Sequence, residues 1–324
     1  MKVLISGGAG YVGSSIANFL IKKGFKVWVV DNLTNGSQKF LIKKIKFFKS
    51  DINSEILNKN VLKKNKFDLV IHCAALVNND ESIKYPKLYY LNNYKKAKKF
   101  IKNCIDAHCK NFIISSTAAI YGYRNNKCNE NGKLDPQTPY AKSKFKLETF
   151  IKKQKINYAI LRYFNVTGVD QTFKSGFNIK NKNSLFVSLC RACFQKNLFL
   201  INGKAHPTYD KTPVRDFIYI EDLVKIHYLI GKLIKKKEKE TFREIINCGY
   251  GKGISVLDIV KSFQKYSKSK LNYSYTKSRK KDISYSVSSN KKLLKLINFK
   301  PTQNNIKKMI ITSLKWYFKQ IKIN

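Results

Sequence analysis

Acidic residues are what this 324-residue chain lacks most: 20 Asp and Glu stand against 64 Lys and Arg, a formal net charge of +44. Arginine is scarce too, with only Arg124, Arg162, Arg191, Arg215, Arg243 and Arg279, and the other basic residues are lysines spread along the chain. Guanidinium forks read phosphates and base edges better than ammonium groups do. Dispersed lysine with little arginine therefore points to a solvated surface, sticky toward polyanions at low salt, and no specific nucleic-acid partner is expected. No run of 18 or more apolar residues occurs, so no membrane-spanning helix is expected. No positive segment leads into an apolar one at the start, which predicts no secretory signal and a cytoplasmic location. Proline and glycine clusters are rare and no internal repeat is found. Seven cysteines, an odd number, argue against a disulfide framework. The C-x-x-C of Cys190 and Cys193 stands alone, and His72, His108, His206 and His227 lack ligand spacing relative to it, so no metal is expected.

What is present begins at the first residues. Lys2-Val3-Leu4-Ile5-Ser6 reads as a strand, followed by Gly7-Gly8-Ala9-Gly10-Tyr11-Val12-Gly13 and an amphipathic stretch with Ile16, Ala17, Phe19 and Leu20 inward. Strand, glycine loop and helix in this order let backbone N–H groups meet a pyrophosphate at a helix N-terminus. The second strand, Lys26 to Val30, ends in Asp31, eighteen residues after Gly13. A carboxylate there accepts hydrogen bonds from ribose hydroxyls and repels a 2′-phosphate, which favours NAD over NADP.

Further strands are expected at Ile45–Phe48, Phe67–Cys73, Asn111–Ser115 and Tyr158–Asn165. A helix is expected from about Tyr85 to His108, with Leu91, Ala97, Phe100, Ile101 and Ile105 on one side. Strands and helices in alternation mean an α/β fold with a doubly wound parallel sheet, whose ligands lie beyond the carboxyl ends of the strands. Ser115, Ser116, Thr117 and Asn165 fall there. Beyond them Tyr140 and Lys144 stand four apart, on one face if the segment is helical. An ammonium near a phenol favours the phenolate, and such a phenol can take a proton from an alcohol oriented by Thr117. This is equipment for reversible oxidation of a secondary alcohol. After Gly168 the periodicity loosens, and strands at Thr212–Leu223 and Arg243–Asn247 are expected to rejoin the sheet.

Gly7-Gly-Ala-Gly-Tyr-Val-Gly13, Asp31-Asn32-Leu33, Asp51-Ile52, Tyr140-x-x-x-Lys144, Arg162-Tyr-Phe-Asn165 and Val214-Arg-Asp216 together resemble the extended short-chain dehydrogenase/reductases. Within them the chain is most similar to the UDP-glucose 4-epimerase family. The resemblance implies an NAD-binding Rossmann domain over 1–168 and a mainly UDP-sugar-binding part over 169–324, with about 212–248 returning to the first sheet. It implies NAD held by Gly7, Gly10, Tyr11, Val12, Gly13, Asp31, Asn32, Asn35, Asp51, Ile52, Ala74, Ala75, Leu76, Asn93, Ser115, Tyr140, Lys144 and Phe164. Tyr140, Lys144 and Thr117 would be catalytic. Thr117, Asn165, Ser184, Leu185, Arg215, Arg279 and Ser286 would hold the UDP-sugar. The two arginines suit phosphate, since guanidinium pairs with its oxygens. A homodimer through helices near 88–108 and 140–154 is also implied.

Three details refine this. Related dehydratases and decarboxylases carry an acid just after the threonine; Thr117-Ala118-Ala119-Ile120-Tyr121 has none, which favours simple epimerisation. Val77 stands where such epimerases often have lysine. Ser286 falls where members restricted to unacetylated sugars have a bulky Tyr, so acceptance of UDP-N-acetylhexosamines is expected, with Tyr285 next door as the counter-indication.

Overall fold

The computed structural model of the chain describes every residue except 181–183, 238–239, 278–281, 303 and 324. The chain divides into two units that alternate along its length. One comprises Met1–Ile120, Pro136–Arg162 and Val224–Ile246, the other Tyr121–Asp135, Tyr163–Leu223 and Asn247–Asn324. The expected division at residue 168 is thus corrected: 121–135 and 163–168 fall in the second unit, and Val224–Ile246 in the first.

The first unit is built on a seven-stranded sheet. Its strands are β1 (Lys2–Ser6), β2 (Lys26–Asp31), β3 (Lys46–Lys49), β4 (Leu69–His72), β5 (Asn111–Thr117), β6 (Asn157–Tyr163) and the strand Arg243–Cys248. Across the sheet the order is Arg243–Cys248, β6, β5, β4, β1, β2, β3. Neighbours β4/β5, β1/β4, β1/β2 and β2/β3 run parallel, with Leu4 opposite both Trp28 and Val70 and Ile71 opposite Ile113. Val3, Leu4, Ile5, Val70, Ile71, Phe112 and Ile113 are fully buried. Apolar residues at consecutive strand positions need cover on both faces, and the helices connecting parallel strands supply it.

The helix Tyr11–Lys22 buries Ile16, Ala17 and Leu20. The stretch expected over 85–108 is helical from Pro86 to Asp106, with a wide turn at Leu91–Lys96. Ala97, Phe100 and Ile101 are buried as expected, but Leu91 is half exposed. A wide turn adds a residue to the helical repeat, which rotates Leu91 off the face that Phe100 and Ile101 share.

The second correction concerns Val214–Tyr219. Arg243–Cys248 does enter the first sheet, but Val214–Tyr219 does not. It pairs antiparallel with Gly253–Ser255, and parallel with Tyr285–Ser286 and Asn165–Thr167. Its apolar pattern announced a buried strand without saying in which sheet. The fully buried Asp216 ties it to its neighbours: the carboxylate accepts from the N–H groups of Tyr250 (2.9 Å), Gly251 (2.9 Å) and Ser288 (3.1 Å) and from the Ser288 hydroxyl (2.6 Å). The sixth strand ends earlier than expected for a related reason, since Asn165–Thr167 turns away to pair with Phe217–Tyr219.

Burial alone drives the Asp216 carboxyl above its ordinary value, and the four hydrogen bonds oppose this. Asp216→Ala takes the acceptor from the Tyr250 and Ser288 N–H groups and from the Ser288 hydroxyl, and leaves Gly251 N–H only its 3.1 Å bond to Ser288 Oγ. It is expected to cost about 3 kcal/mol or more of stability, read as a fall in the chemical-denaturation midpoint, with Asp216→Asn intermediate.

Candidate active site and dinucleotide cradle

The loop after β1 has no room for side chains. A Cβ on Gly13 would lie 2.2 Å from the Gly7 carbonyl oxygen, and one on Gly7, at φ +68°, 2.5 Å from the Ala74 nitrogen. The helix that follows starts at Tyr11 with Gly10 as its N-cap. No side chain caps it and no acid stands in its first turn. The first N–H groups of this helix and the positive end of its dipole, with no capping side chain and no acid in the first turn, suit a pyrophosphate.

Asp31, at the end of β2, is buried. Its Oδ2 accepts from Ala9 N (3.0 Å) and its Oδ1 from Leu33 N (2.8 Å), so the carboxylate that could meet a ribose also fixes the glycine loop. Asn32 and Asn35 are exposed beside it, and the Asn32 amide oxygen is engaged by Thr34. Asp51 receives a hydrogen bond from Lys96 Nζ at 2.7 Å, with Ile52 buried next to it. These residues fit NAD.

Two predicted cofactor residues turn out to brace the site from behind. Asn93 is buried; its Oδ1 accepts from Leu76 N (2.8 Å) and its Nδ2 donates to Leu76 O (2.9 Å) and to Ser143 Oγ (3.2 Å). It clamps the Ala74–Ala75–Leu76 segment that follows β4. The Ser115 hydroxyl donates to His72 O at 2.7 Å, joining β5 to β4.

The helix Pro139–Lys152 carries the reactive pair. Thr138 caps it, accepting from Ala141 N at 3.2 Å, and Pro139 fills the first helical position, where its missing N–H costs nothing. Tyr140 and Lys144 are both buried on one face of this helix. Thr117, the last residue of β5, is hydrogen-bonded to the Tyr140 side chain. The Tyr89 ring meets Tyr140 edge-on at 6.4 Å. The structure thus brings Thr117, Tyr140 and Lys144 together.

Their electrostatics depart from expectation. Burial pushes the Tyr140 phenol up, and the hydrogen bond from Thr117 draws it partly back. The phenolate loses more to desolvation than its surroundings return. The same burial holds the Lys144 amine down at about 8, with Cys73 and Glu148 pulling it upward. His72 is driven to about 3 by burial and by Lys144, so it is neutral, sharing a 2.7 Å hydrogen bond between its Nδ1 and Ser6 Oγ.

In the second unit, taken by itself, the Arg215 Nη2 donates to Asp282 Oδ1 at 3.0 Å. Ser286 pairs with Arg215 in parallel register and Tyr285 with Val214. Adjacent strand residues project to opposite faces, so Tyr285 and Ser286 serve different sides. Asn165 begins the strand that pairs with Phe217 and is exposed. Ser184 is the N-cap of the helix Leu185–Gln195 and makes no side-chain cap bond. Phe164 is buried and stacks on Tyr121 at 6.4 Å. Arg279 lies outside the described residues.

Sequence reasoning missed Glu148 and the bracing use of Ser116 and Asn93. Glu148 had a signal: it stands four residues beyond Lys144, as Lys144 does beyond Tyr140. Among the described residues no group of His, Cys, Asp and Glu is placed to hold a metal ion, and no helix is long and apolar enough to cross a membrane.

A buried phenol and ammonium beyond the strand ends of a doubly wound sheet are the working parts of a dinucleotide-dependent enzyme acting on a secondary alcohol. The match to known proteins narrows this class: residues 3–249 fit the NAD dependent epimerase/dehydratase family, and the chain belongs to it. The UDP-glucose 4-epimerase of Lactobacillus helveticus is 33% identical over 323 residues, covering 98% of this chain and 97% of that protein. A UDP-glucose 4-epimerase from Stenotrophomonas maltophila, solved with bound NAD and formylated UDP-arabinopyranose, superposes with a TM-score of 0.93 at 25% identity over all of both chains. The UDP-Glc/GlcNAc 4-epimerase of Campylobacter jejuni gives a TM-score of 0.82 at 30% identity, covering 98% of this chain and 99% of that one.

Lys144 supplies a prediction about pH. The folded protein holds this proton less tightly than the unfolded chain, so between pH 8 and 10.5 the unfolded state binds more protons and stability rises with pH. Below pH 8 the buried charge carries its full cost, about 3 kcal/mol. Lys144→Met is expected to raise the thermal midpoint at pH 7, and this gain should vanish as pH approaches 10.5, as scanning calorimetry across that range would record.

Proposed function

We propose that the chain is a UDP-hexose 4-epimerase working with NAD, an isomerase that inverts C4 of UDP-glucose and UDP-galactose through a transient 4-keto sugar. The observation that carries the reading is the Thr117–Tyr140–Lys144 constellation, buried at the end of β5 and followed by Ala118-Ala119-Ile120-Tyr121, a run without an acid for elimination or decarboxylation. Tyr140, ionised, accepts the proton of the sugar 4-hydroxyl as C4 becomes a ketone, and returns it when C4 is reduced from the other side. NAD, when bound, supplies the acceptor and then the donor of the C4 hydride. Thr117 orients the hydroxyl. Lys144, charged below pH 8, lowers the cost of the phenolate that burial disfavours.

Gly7, Gly10, Tyr11, Val12 and Gly13 hold the pyrophosphate, Asp31 a ribose, and Asp51 with Ile52 the adenine. Asn165, Ser184, Leu185, Arg215 and Arg279 hold the UDP half, keeping the ketone tethered while it turns over. Ser286 leaves space at C2, which supports acceptance of UDP-N-acetylhexosamines; likeness to the Campylobacter jejuni UDP-Glc/GlcNAc enzyme supports it further. The enzyme works as a cytoplasmic homodimer. In support, Ile83, Tyr85, Leu88, Tyr90 and Leu91 expose apolar surface on and beside one helical stretch, and Pro86, Lys87, Tyr90, Leu91 and Lys95 line a shallow depression there.

Incubation with UDP-glucose, UDP-GlcNAc and UDP-glucuronate in parallel tests the reading. Formation of the 4-epimers of the first two is expected, and a protein inert toward all three contradicts it. Tyr140→Phe should lower kcat by about 10²–10⁴-fold. Ser286→Tyr should lose activity on UDP-GlcNAc while keeping it on UDP-glucose; equal loss on both would remove Ser286 from the C2 pocket.

A further inference from the structure

Tyr140, Lys144 and Glu148 recur every fourth residue along the helix Pro139–Lys152, and all three are buried. Glu148 is 1% exposed, and two strands reach it. From β6, Arg162 donates through Nη2 to Oε2 at 2.7 Å and through Nε to Oε1 at 3.2 Å. From β5, Ser116 donates its hydroxyl to Oε1 at 2.5 Å. Ser116 immediately precedes Thr117, whose side chain is bonded to Tyr140. One carboxylate thus links the helix bearing the phenol and the ammonium to the strand bearing the hydroxyl that meets the phenol.

A buried ion pair is a poor device for stability alone, since apolar residues of like volume serve at least as well. The charge has another use here. The groups facing Lys144 and Tyr140 from the elements packed around them are His72 and Cys73 at the end of β4, Tyr89 and Glu81 from the segment 79–90, and Arg162 on β6. His72 is neutral, the Glu81 carboxylate accepts from the Tyr89 hydroxyl at 2.6 Å, and Arg162 is cationic. Cys73 and then Glu148 support the charge on Lys144, and Glu148 is the carboxylate that stands one helical turn beyond it, buried on the same helix face.

We propose that Glu148 is a positioning residue for the catalytic pair: it fixes the Tyr140–Lys144 helix to β5 and β6 through Ser116 and Arg162, and it is the buried counter-charge of the Lys144 ammonium. The proposal deepens the epimerase reading and rests on it.

The test compares wild type, Glu148→Gln, Ser116→Ala and the paired variant Glu148→Gln with Arg162→Met. Glu148→Gln keeps the shape and removes the charge. The basic limb of its kcat–pH profile should move about one pH unit lower, with KM for the UDP-hexose within about twofold of wild type. Ser116→Ala removes one hydrogen bond and leaves the charge, so the limb should stay in place. If Glu148→Gln fails to fold because Arg162 is stranded, the paired variant removes the stranded cation as well, and its limb should move in the same direction by less, since losing Arg162 also relieves repulsion on Lys144. A second readout does not depend on turnover. In the protein as purified, the pH at which the gain from Lys144→Met begins to decline, about 8 in the wild-type background, should fall when Glu148→Gln is present, while the pH at which it vanishes stays near 10.5. A limb that does not move in soluble Glu148→Gln or paired protein, or that moves equally in Ser116→Ala, overturns the counter-charge. Wild type without epimerase activity would overturn the functional reading instead, and the calorimetric comparison would still decide for or against Glu148.

Discussion

An ammonium group kept out of water sets the terms for the first unit. Lys144 lies on a helix whose buried face also carries Tyr140 and Glu148, and desolvation bears on both the ammonium and the phenol. A charge in such a place must be matched, or it discharges. The match fixes more than a pKa. Because the matching carboxylate is held by Arg162 and Ser116, the helix cannot rotate without breaking bonds to β5 and β6. Burial, and then the nearby ammonium, keep His72 neutral, and its Nδ1 is engaged by Ser6 at the end of β1. Chemistry at the strand ends and order in the sheet thus rest on one electrostatic arrangement.

The composition bears on this from an unexpected side. Acids are few against the lysines, yet Asp31, Glu148, Asp216 and Asp222 are buried. Asp31 holds the glycine loop, Asp216 gathers four donors, and Asp222 accepts from the Tyr250 hydroxyl and from Thr302. Carboxylates are the acceptors best suited to several N–H donors at once, so these interior posts need acids even in so basic a chain. Among the described residues the lysines other than Lys144 remain outside the buried interior, some of them over aromatic rings, as Lys46 over Trp28 at 4.8 Å.

The first sheet and the cradle were legible because their signals are local. An apolar run, a loop of four glycines and an acid lie within the first 31 residues, and each has one physical reading at that spacing. Tyr140 and Lys144 were legible because one helical turn fixes their relation. The brace was not. Glu148 stands in register with the pair, but its partners Ser116 and Arg162 lie on two strands, and nothing local says that the three meet. Val214–Tyr219 was misplaced for the same reason, since an apolar strand pattern does not name its sheet and the choice is made by Tyr250, Gly251 and Ser288 far along the chain. The direction of the Tyr140 shift was also missed, because sequence spacing shows the neighbouring amine and not the loss of water around the phenol.

The interleaving of the two units has a consequence for synthesis on the ribosome. The backbone passes from one unit to the other at residues 120, 135, 162, 223 and 246. The outermost strand of the first sheet, Arg243–Cys248, closes against β6 only after most of the second unit's first long segment has been translated. Until then β6 presents an open edge, its N–H and C=O groups available to any passing strand. A truncation anywhere before residue 243 would leave that edge permanently bare.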